Sequence, residues 1–271
     1  LVCGWNLIED KSKIHNTEII PIDSEHFSVW SLLEYRSIIQ KKSINNKLID
    51  EIYITASGGP FKNYNLNKFK YIKPGDATKH PNWKMGKKIS VDSSTLMNKV
   101  FEVIELQRLF KIDYKKIKVI IQPKSYIHAI IKFTDGTIKL LAHEPNMKVP
   151  IFNSIYNKKI VKKLKSKKIN FEILNQLNFT KIDKKKFPLI KLLYKLKPNI
   201  SLFETALTVA NDQLVELFLK NKISYTDLSK ILINFLNSKY VSSLSNKKPL
   251  NYMMINSTKN LIRLKIKNHY N

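Results

Sequence analysis

The sequence predicts an α+β fold, in which an α/β part with a mixed open sheet flanked by helices precedes a C-terminal α-helical bundle. Short β-branched runs bounded by turn residues fall at residues 17–22, 49–56, 117–122, 126–133 and 138–143. Stretches of helical period separate them. From Pro188 onward, residues 188–197, 201–220 and 225–237 carry the helical period in succession. With 271 residues and 43% hydrophobic content, the chain is long enough for a real core and for more than one domain.

Taken in order, residues 1–16 read as a short helix and a polar turn. Residues 17–22 (TEIIPI) read as a strand, with Pro21 limiting its ladder bonding. Asp23-Ser24-Glu25-His26 follows directly, and acidic residues at a strand end lie where α/β folds place chemistry. Residues 27–39 look helical, with Phe27, Trp30, Leu33 and Ile38 apolar. Residues 49–56 form the next strand. Ser57-Gly58-Gly59-Pro60-Phe61 is then either a plain turn or a close backbone approach to a ligand with a hydroxyl beside it. Residues 65–79 read as helix and loop.

His80-Pro81-Asn82-Trp83-Lys84-Met85-Gly86 has no period; its Trp and Met either pack down or close on a ligand. From Ser93 the helical period returns in Leu96, Met97, Val100, Val103 and Ile104, with Asp92, Ser93 and Ser94 where N-capping residues belong. Asn98, Glu102 and Glu105 stack on one face with Lys99 beside them. That stripe is either a solvated face or a place for a metal and a phosphate side by side. Thr134-Asp135-Gly136-Thr137 is a hairpin turn between two strands. Residues 157–186 form a Lys-rich connection, and residues 252–266 add a last helix.

The net charge of +27 invites a nucleic-acid reading. The lysines are spread along the chain beside Ile and Asn, and no zinc-finger or RNP-type motif accompanies them. A compositional bias accounts for them. The single Cys3 excludes an internal disulfide framework and a multi-cysteine zinc site. No apolar run reaches membrane-span length, and the start does not resemble a signal peptide. Two carboxylates at Asp23 and Glu25 and another from the stretch His80 to Glu105, with no cysteine, describe an oxygen-ligand site suited to Mg²⁺ or Mn²⁺, and Ser, Asn and Lys describe a phosphate site.

Ile22-Asp23-Ser24-Glu25-His26, Ser57-Gly58-Gly59-Pro60-Phe61, the block from His80 to Ser93, Met97-Asn98-Lys99, Gln122-Pro123-Lys124-Ser125 and Glu144-Pro145-Asn146-Met147 together resemble the 1-deoxy-D-xylulose 5-phosphate reductoisomerase family, in order and in spacing. The resemblance implies NADPH-dependent rearrangement and reduction of a ketose phosphate in non-mevalonate isoprenoid synthesis. It implies Asp23, Glu25 and Glu102 as ligands of a divalent cation. It implies Ser24, Ser57, His80, Ser93, Asn98 and Lys99, with Glu25 and Glu102, as substrate contacts, and His80 with the three acids as catalytic. Trp83 and Met85 would form a lid, Met85 and Gly86 would approach the nicotinamide, and Glu105 would orient Lys99 or a metal water. Ser125, His128 and Met147 stay open between structural and site roles.

The resemblance also implies a homodimer and a bacterial cytoplasmic or plastid-stromal setting, with no membrane and no nucleic acid. It implies a division into residues 1–20 as a remnant of the NADPH-binding domain, 21–156 as catalytic domain, 157–187 as linker and 188–271 as helical domain. The family's N-terminal Rossmann domain is expected to be absent, because the six glycines form no dinucleotide-binding turn. Val100 departs from the family's glycine, and residues 152–159 and 208–212 depart from its patterns. Two other classes stay open at the level of sequence: a basic nucleic-acid-binding protein, and a non-catalytic degraded relative.

Overall fold

The computed structural model describes residues 1–34, 39–40, 43–83, 85–156, 163–165 and 167–270. In chain order the elements are α1 (Trp5–Ile14), α2 (Ser24–Glu34), β1 (Ile39–Gln40), β2 (Ser43–Ile44), β3 (Ile49–Ala56), α3 (Pro74–Ala77), α4 (Lys87–Ser94), α5 (Met97–Phe110), β4 (Ile117–Ile121), β5 (Ile127–Phe133), β6 (Ile138–Ala142), α6 (Lys148–Tyr156), α7 (Phe171–Asn175), α8 (Leu202–Leu219), α9 (Tyr225–Leu236), α10 (Lys239–Leu244) and α11 (Tyr252–Tyr270). The larger sheet has the order β4-β3-β5-β6. β3 runs parallel to β4 and antiparallel to β5, and β5 and β6 pair antiparallel. This is the mixed sheet expected, and α2 and α5 pack on it.

α5 is the axis of the molecule. Its Val103, Leu106 and Phe110 join Ile52 and Ile54 of β3, Ala129 and Ile131 of β5, and Val29 and Leu33 of α2 in one core. Its Met97, Val100 and Ile104 join Leu207, Leu214 and Leu228 of the C-terminal helices in another. A helix buried on both sides needs apolar residues on two faces, and α5 has them, with Asn98, Lys99 and Glu102 on the face between. Val100, the departure from glycine, is fully buried against the helical bundle.

Local signals explain the bundle. Ser201 caps α8 through a reciprocal pair with Glu204, and Ser224 and Ser238 cap α9 and α10. α1 docks on the same bundle: Asn6 Nδ2 donates to the Pro249 carbonyl at 2.6 Å.

Several elements differ from expectation. Residues 17–22 form no strand: Pro21 has no N–H for a ladder and Ile22 is half exposed, while Ile20 packs on the core from an irregular segment. α2 begins at Ser24 and ends at Glu34, short of Ile39, which starts β1; Ile38 lies outside the described residues. Asp92, Ser93 and Ser94 do not cap a helix. They close α4, and the chain breaks at Thr95 and Leu96, with Leu96 left-handed at φ 61°, before α5 begins. Residues 188–195 form a 3₁₀ helix, and α6 occurs where no helix was expected. In the Lys-rich connection, residues 157–162 and 166 lie outside the described residues, while Thr180 bridges Ile121 at the sheet edge.

Arg108 locks α5 to the bundle. It is 1% exposed, and its guanidinium donates to Glu204 Oε1 and the Pro198 carbonyl, each at 2.7 Å. Removing one partner of such a pair strands a buried charge. Arg108→Met should therefore destabilise folding by about 3–5 kcal/mol in urea titration. Adding Glu204→Gln, which keeps the α8 cap, should restore much of that loss.

Candidate active site

The acidic cluster is assembled by the start of α2 and the middle of α5. Asp23 caps α2: its Oδ1 accepts from the backbone N–H of Glu25 at 3.1 Å and His26 at 3.4 Å. That fixes Glu25 in the first turn, facing α5. One carboxylate oxygen from each of Asp23, Glu25 and Glu102 lies within 4.8 Å of the others. Lys99 Nζ donates to Glu25 Oε1 at 2.5 Å and also to Glu102. Asn98 donates to the other oxygen of Glu102, and Ser24 to Glu25. His26 Nε2 donates to the Glu102 carbonyl at 2.8 Å and ties α2 to α5.

One ammonium faces three carboxylates in a buried place, and the protonation equilibria show the conflict. Burial, and then the Glu25 charge, hold Glu102 well above the usual carboxylate range. Burial pushes Glu25 up too, but the Lys99 charge, the His128 charge and hydrogen bonds from Lys99 and Ser24 outweigh it and bring it down to about 2. Burial presses Lys99 down, and the charges of Glu102 and Glu25 overcome this and hold it above its ordinary value. A dication would remove the conflict. The donor set is all oxygen and closely spaced, so it fits a hard cation such as Mg²⁺ or Mn²⁺.

A cavity of about 330 Å³ opens beside the cluster. Its far end is built by the turn after β3. Gly58 and Gly59 have φ of +82° and +63°, and a Cβ on Gly59 would lie 3.0 Å from Ser94 Cα, so the turn packs directly on the α4–α5 junction. His80 Nδ1 accepts from the backbone N–H of Asn82 at 3.1 Å and Trp83 at 3.0 Å. The proton of the neutral ring is therefore on Nε2, which donates to Ser57 Oγ at 3.1 Å. Ser57 Oγ also accepts from Gly59 N–H. Both acceptor positions of Ser57 are filled, and its O–H is left to offer to an anion.

The cavity brings together Asp23, Ser24, Glu25, Ser57, His80, Trp83, Met85, Ser93, Asn98, Lys99 and Glu102 from the sequence reading. Gly86 is not among its lining residues; it is the exposed N-cap of α4. Lys84 lies outside the described residues. Glu105 does not face Lys99: its Oε2 stands 4.0 Å from His26 Nδ1. Ser125, His128 and Met147 all line the cavity, and so do Thr55 and Ile89, which the sequence reading passed over. Thr55 is two residues before Ser57 on a strand, and Ile89 is four before Ser93 on a helix, so the two periodicities applied to known members would have found both. Asn82 pins the His80 loop by donating to the Pro123 carbonyl at 2.8 Å and Ser125 Oγ at 2.9 Å.

The α+β scaffold thus sets an oxygen-only cluster that fits a hard cation beside a pocket whose Ser57 hydroxyl is available to an anion. The 1-deoxy-D-xylulose 5-phosphate reductoisomerase C-terminal domain matches residues 19–110, and the DXP reductoisomerase C-terminal domain matches residues 143–264. A 1-deoxy-D-xylulose 5-phosphate reductoisomerase of Pelagibacter ubique (strain HTCC1062) is 50% identical over 268 residues, which is 98% of this chain and 66% of that protein. One of Sulfurihydrogenibium sp. (strain YO3AOP1) is 40% identical over 87% of this chain and 60% of its own length.

A crystal structure of DOX-P reductoisomerase in complex with NADPH, fosmidomycin and magnesium superposes with a TM-score of 0.86 at 30% identity, covering 99% of this chain and 67% of that one. The enzyme from Zymomonas mobilis in complex with NADPH gives 0.82 at 27% identity, covering 100% and 66%. The chain belongs to the 1-deoxy-D-xylulose 5-phosphate reductoisomerase family. It spans 66% and 60% of the length of these two relatives.

The histidines set a pH dependence. Burial, with the nearby Lys99 charge, presses His80 down to about 4. Burial presses His128, stacked 3.8 Å from His143, down to about 4 against the pull of Glu25. The unfolded chain takes up these protons near pH 6.5 and the folded chain only near 4, so stability falls as pH drops through that window. Urea titrations of the metal-free chain should show this fall, and His128→Asn should remove about one proton, roughly 1.4 kcal/mol per pH unit, from the slope. Gly59→Ala should cost a further loss of stability at every pH, through both its left-handed backbone and the Ser94 contact.

Proposed function

We propose that this chain is the metal- and substrate-binding part of an enzyme that converts 1-deoxy-D-xylulose 5-phosphate to 2-C-methyl-D-erythritol 4-phosphate with NADPH. The observation that carries the reading is the convergence of Asp23, Glu25 and Glu102 beside a pocket ended by Ser57, His80 and Ser93. Asp23, Glu25 and Glu102 would hold a divalent cation, which would supply Lewis-acid chemistry for the ketose when bound.

The chain's own residues do the rest. Ser57, Ser93, Asn98 and Lys99 hold the phosphate, and His80 orients Ser57 toward it. In the present arrangement Lys99 and Asn98 donate to Glu102. A dication held by the carboxylates would offset their charge and leave both side chains available to the phosphate. Ser24 contacts the sugar hydroxyls. A phosphate anchored at one end and hydroxyls held at the other fix the carbons that must exchange bonds. Trp83 and Met85 cover the pocket and exclude water from the rearranging carbons.

The dinucleotide does not fit these residues alone. The six glycines form no dinucleotide turn, so Met85 and Gly86 offer only neighbours for the nicotinamide. We assign hydride supply to a Rossmann-type part that is not among residues 1–271. Residues 1–20 are then its remnant, 21–156 the catalytic domain, 157–187 a linker and 188–271 the helical domain. A homodimer is supported by β6, an edge strand with Ile138 and Leu140 exposed. The nucleic-acid reading has only the net charge behind it.

Calorimetry with Mn²⁺ and 1-deoxy-D-xylulose 5-phosphate tests the proposal. The chain should bind both and oxidise no NADPH, and the protein joined to a Rossmann part should turn over. Glu102→Gln should weaken Mn²⁺ at least about tenfold. Ketose-phosphate binding that ignores Mn²⁺ and survives Glu102→Gln unchanged would sink the reading.

A further inference from the structure

We infer that Tyr225, on α9 of the helical bundle, is a positioning residue for the phosphate end of the site, because one side chain holds both segments that build it. The inference rests on the reading of Ser57 and Ser93 as phosphate contacts. Tyr225 is 4% exposed and is not among the residues lining the cavity. Its ring stands 5.2 Å from Phe61, edge to face at 75°, and Phe61 closes the Ser57-Gly58-Gly59-Pro60 turn. Its hydroxyl donates to the Ser94 carbonyl at 2.8 Å and lies 3.1 Å from Ser94 Oγ.

Ser94 is the last residue of α4, next to Ser93. The final carbonyls of a helix lack donors within it, and a buried one needs a partner from elsewhere. Here the helical path also breaks at left-handed Leu96, so this is the place where α4 and α5 are set relative to each other. Ser94 in turn donates to the Val91 carbonyl at 2.8 Å and packs on Gly59. Ring and hydroxyl of Tyr225 thus fix the spacing between Ser57 and Ser93 from behind. Asn211, on α8, makes the parallel contact on the other flank, donating to Asp92 at 2.7 Å. The helical bundle therefore acts on the site through the junction and not through the cavity.

The test is Tyr225→Phe in the 271-residue chain loaded with Mn²⁺, titrated by calorimetry with inorganic phosphate and with 1-deoxy-D-xylulose 5-phosphate. Loss of one buried hydrogen bond should weaken both roughly fivefold while Mn²⁺ affinity stays unchanged. Amide exchange at residues 93–96 should quicken. Phe218→Leu loosens the same aromatic cluster, the Phe218 ring lying 5.6 Å from that of Tyr225, and leaves the hydroxyl on Ser94 in place; it should lower the melting temperature and leave phosphate affinity alone. Wild-type phosphate affinity and exchange in Tyr225→Phe would overturn the inference. A wild-type chain that binds neither Mn²⁺ nor phosphate would instead overturn the reading of the site, and exchange at residues 93–96 would still decide whether Tyr225 holds the junction.

Discussion

Three carboxylates gathered around one buried ammonium set the terms for the rest of this molecule. Charges of like sign repel strongly where water is scarce, and a folded chain tolerates them only if other packing holds them in place. Glu102 is 3% exposed and Lys99 7%. Both sit on α5, so α5 must be covered on all sides. That is why the chain needs a sheet with α2 on one flank and a helical bundle on the other. The two cores are two halves of one enclosure around a polar helix face.

Holding α5 still requires contacts that do not reach the cavity. Arg108 joins it to α8 through Glu204, and His26 joins it to α2 through the Glu102 carbonyl. On the neighbouring helix, Lys88 bridges Asp92 and Asp212, each at 2.9 Å. Asp212 stands in one of the stretches that depart from the family pattern, yet it keeps a carboxylate in reach of α4. The break at Thr95 and Leu96 is the counterpart of this bracing. A continuous helix would carry Ser93 and Asn98 along a straight axis, whereas the break at Leu96 leaves both on the wall of one cavity.

The surface tells a separate story from the site. Lysines at 13, 111, 118 and 132 pair with acids as ordinary exposed ion pairs, and such pairs add little stability. Their collective effect is a positive field, which favours approach of an anionic ligand and weakens with salt.

What the sequence determined alone was local chemistry. β3 has the ends that its β-branched run predicts, the Asp135-Gly136 hairpin forms, and α8 and α9 start at serines that cap them. The acids, serines, amide and lysine of the site were legible because each sits in a short, distinctive string. Tertiary structure decided whatever depended on a partner far along the chain. Residues 17–22 have a strand's composition and no ladder to join. The period read from Ser93 belongs to α5 alone and α4 carries no such signal, so Asp92, Ser93 and Ser94 read as a helix start where they are a helix end. Glu105 shares a helix face with Glu102 yet meets His26, because α2, and not α5, determines which neighbour arrives. Periodicity reports which side of an element is apolar; only the packed chain says what stands opposite it.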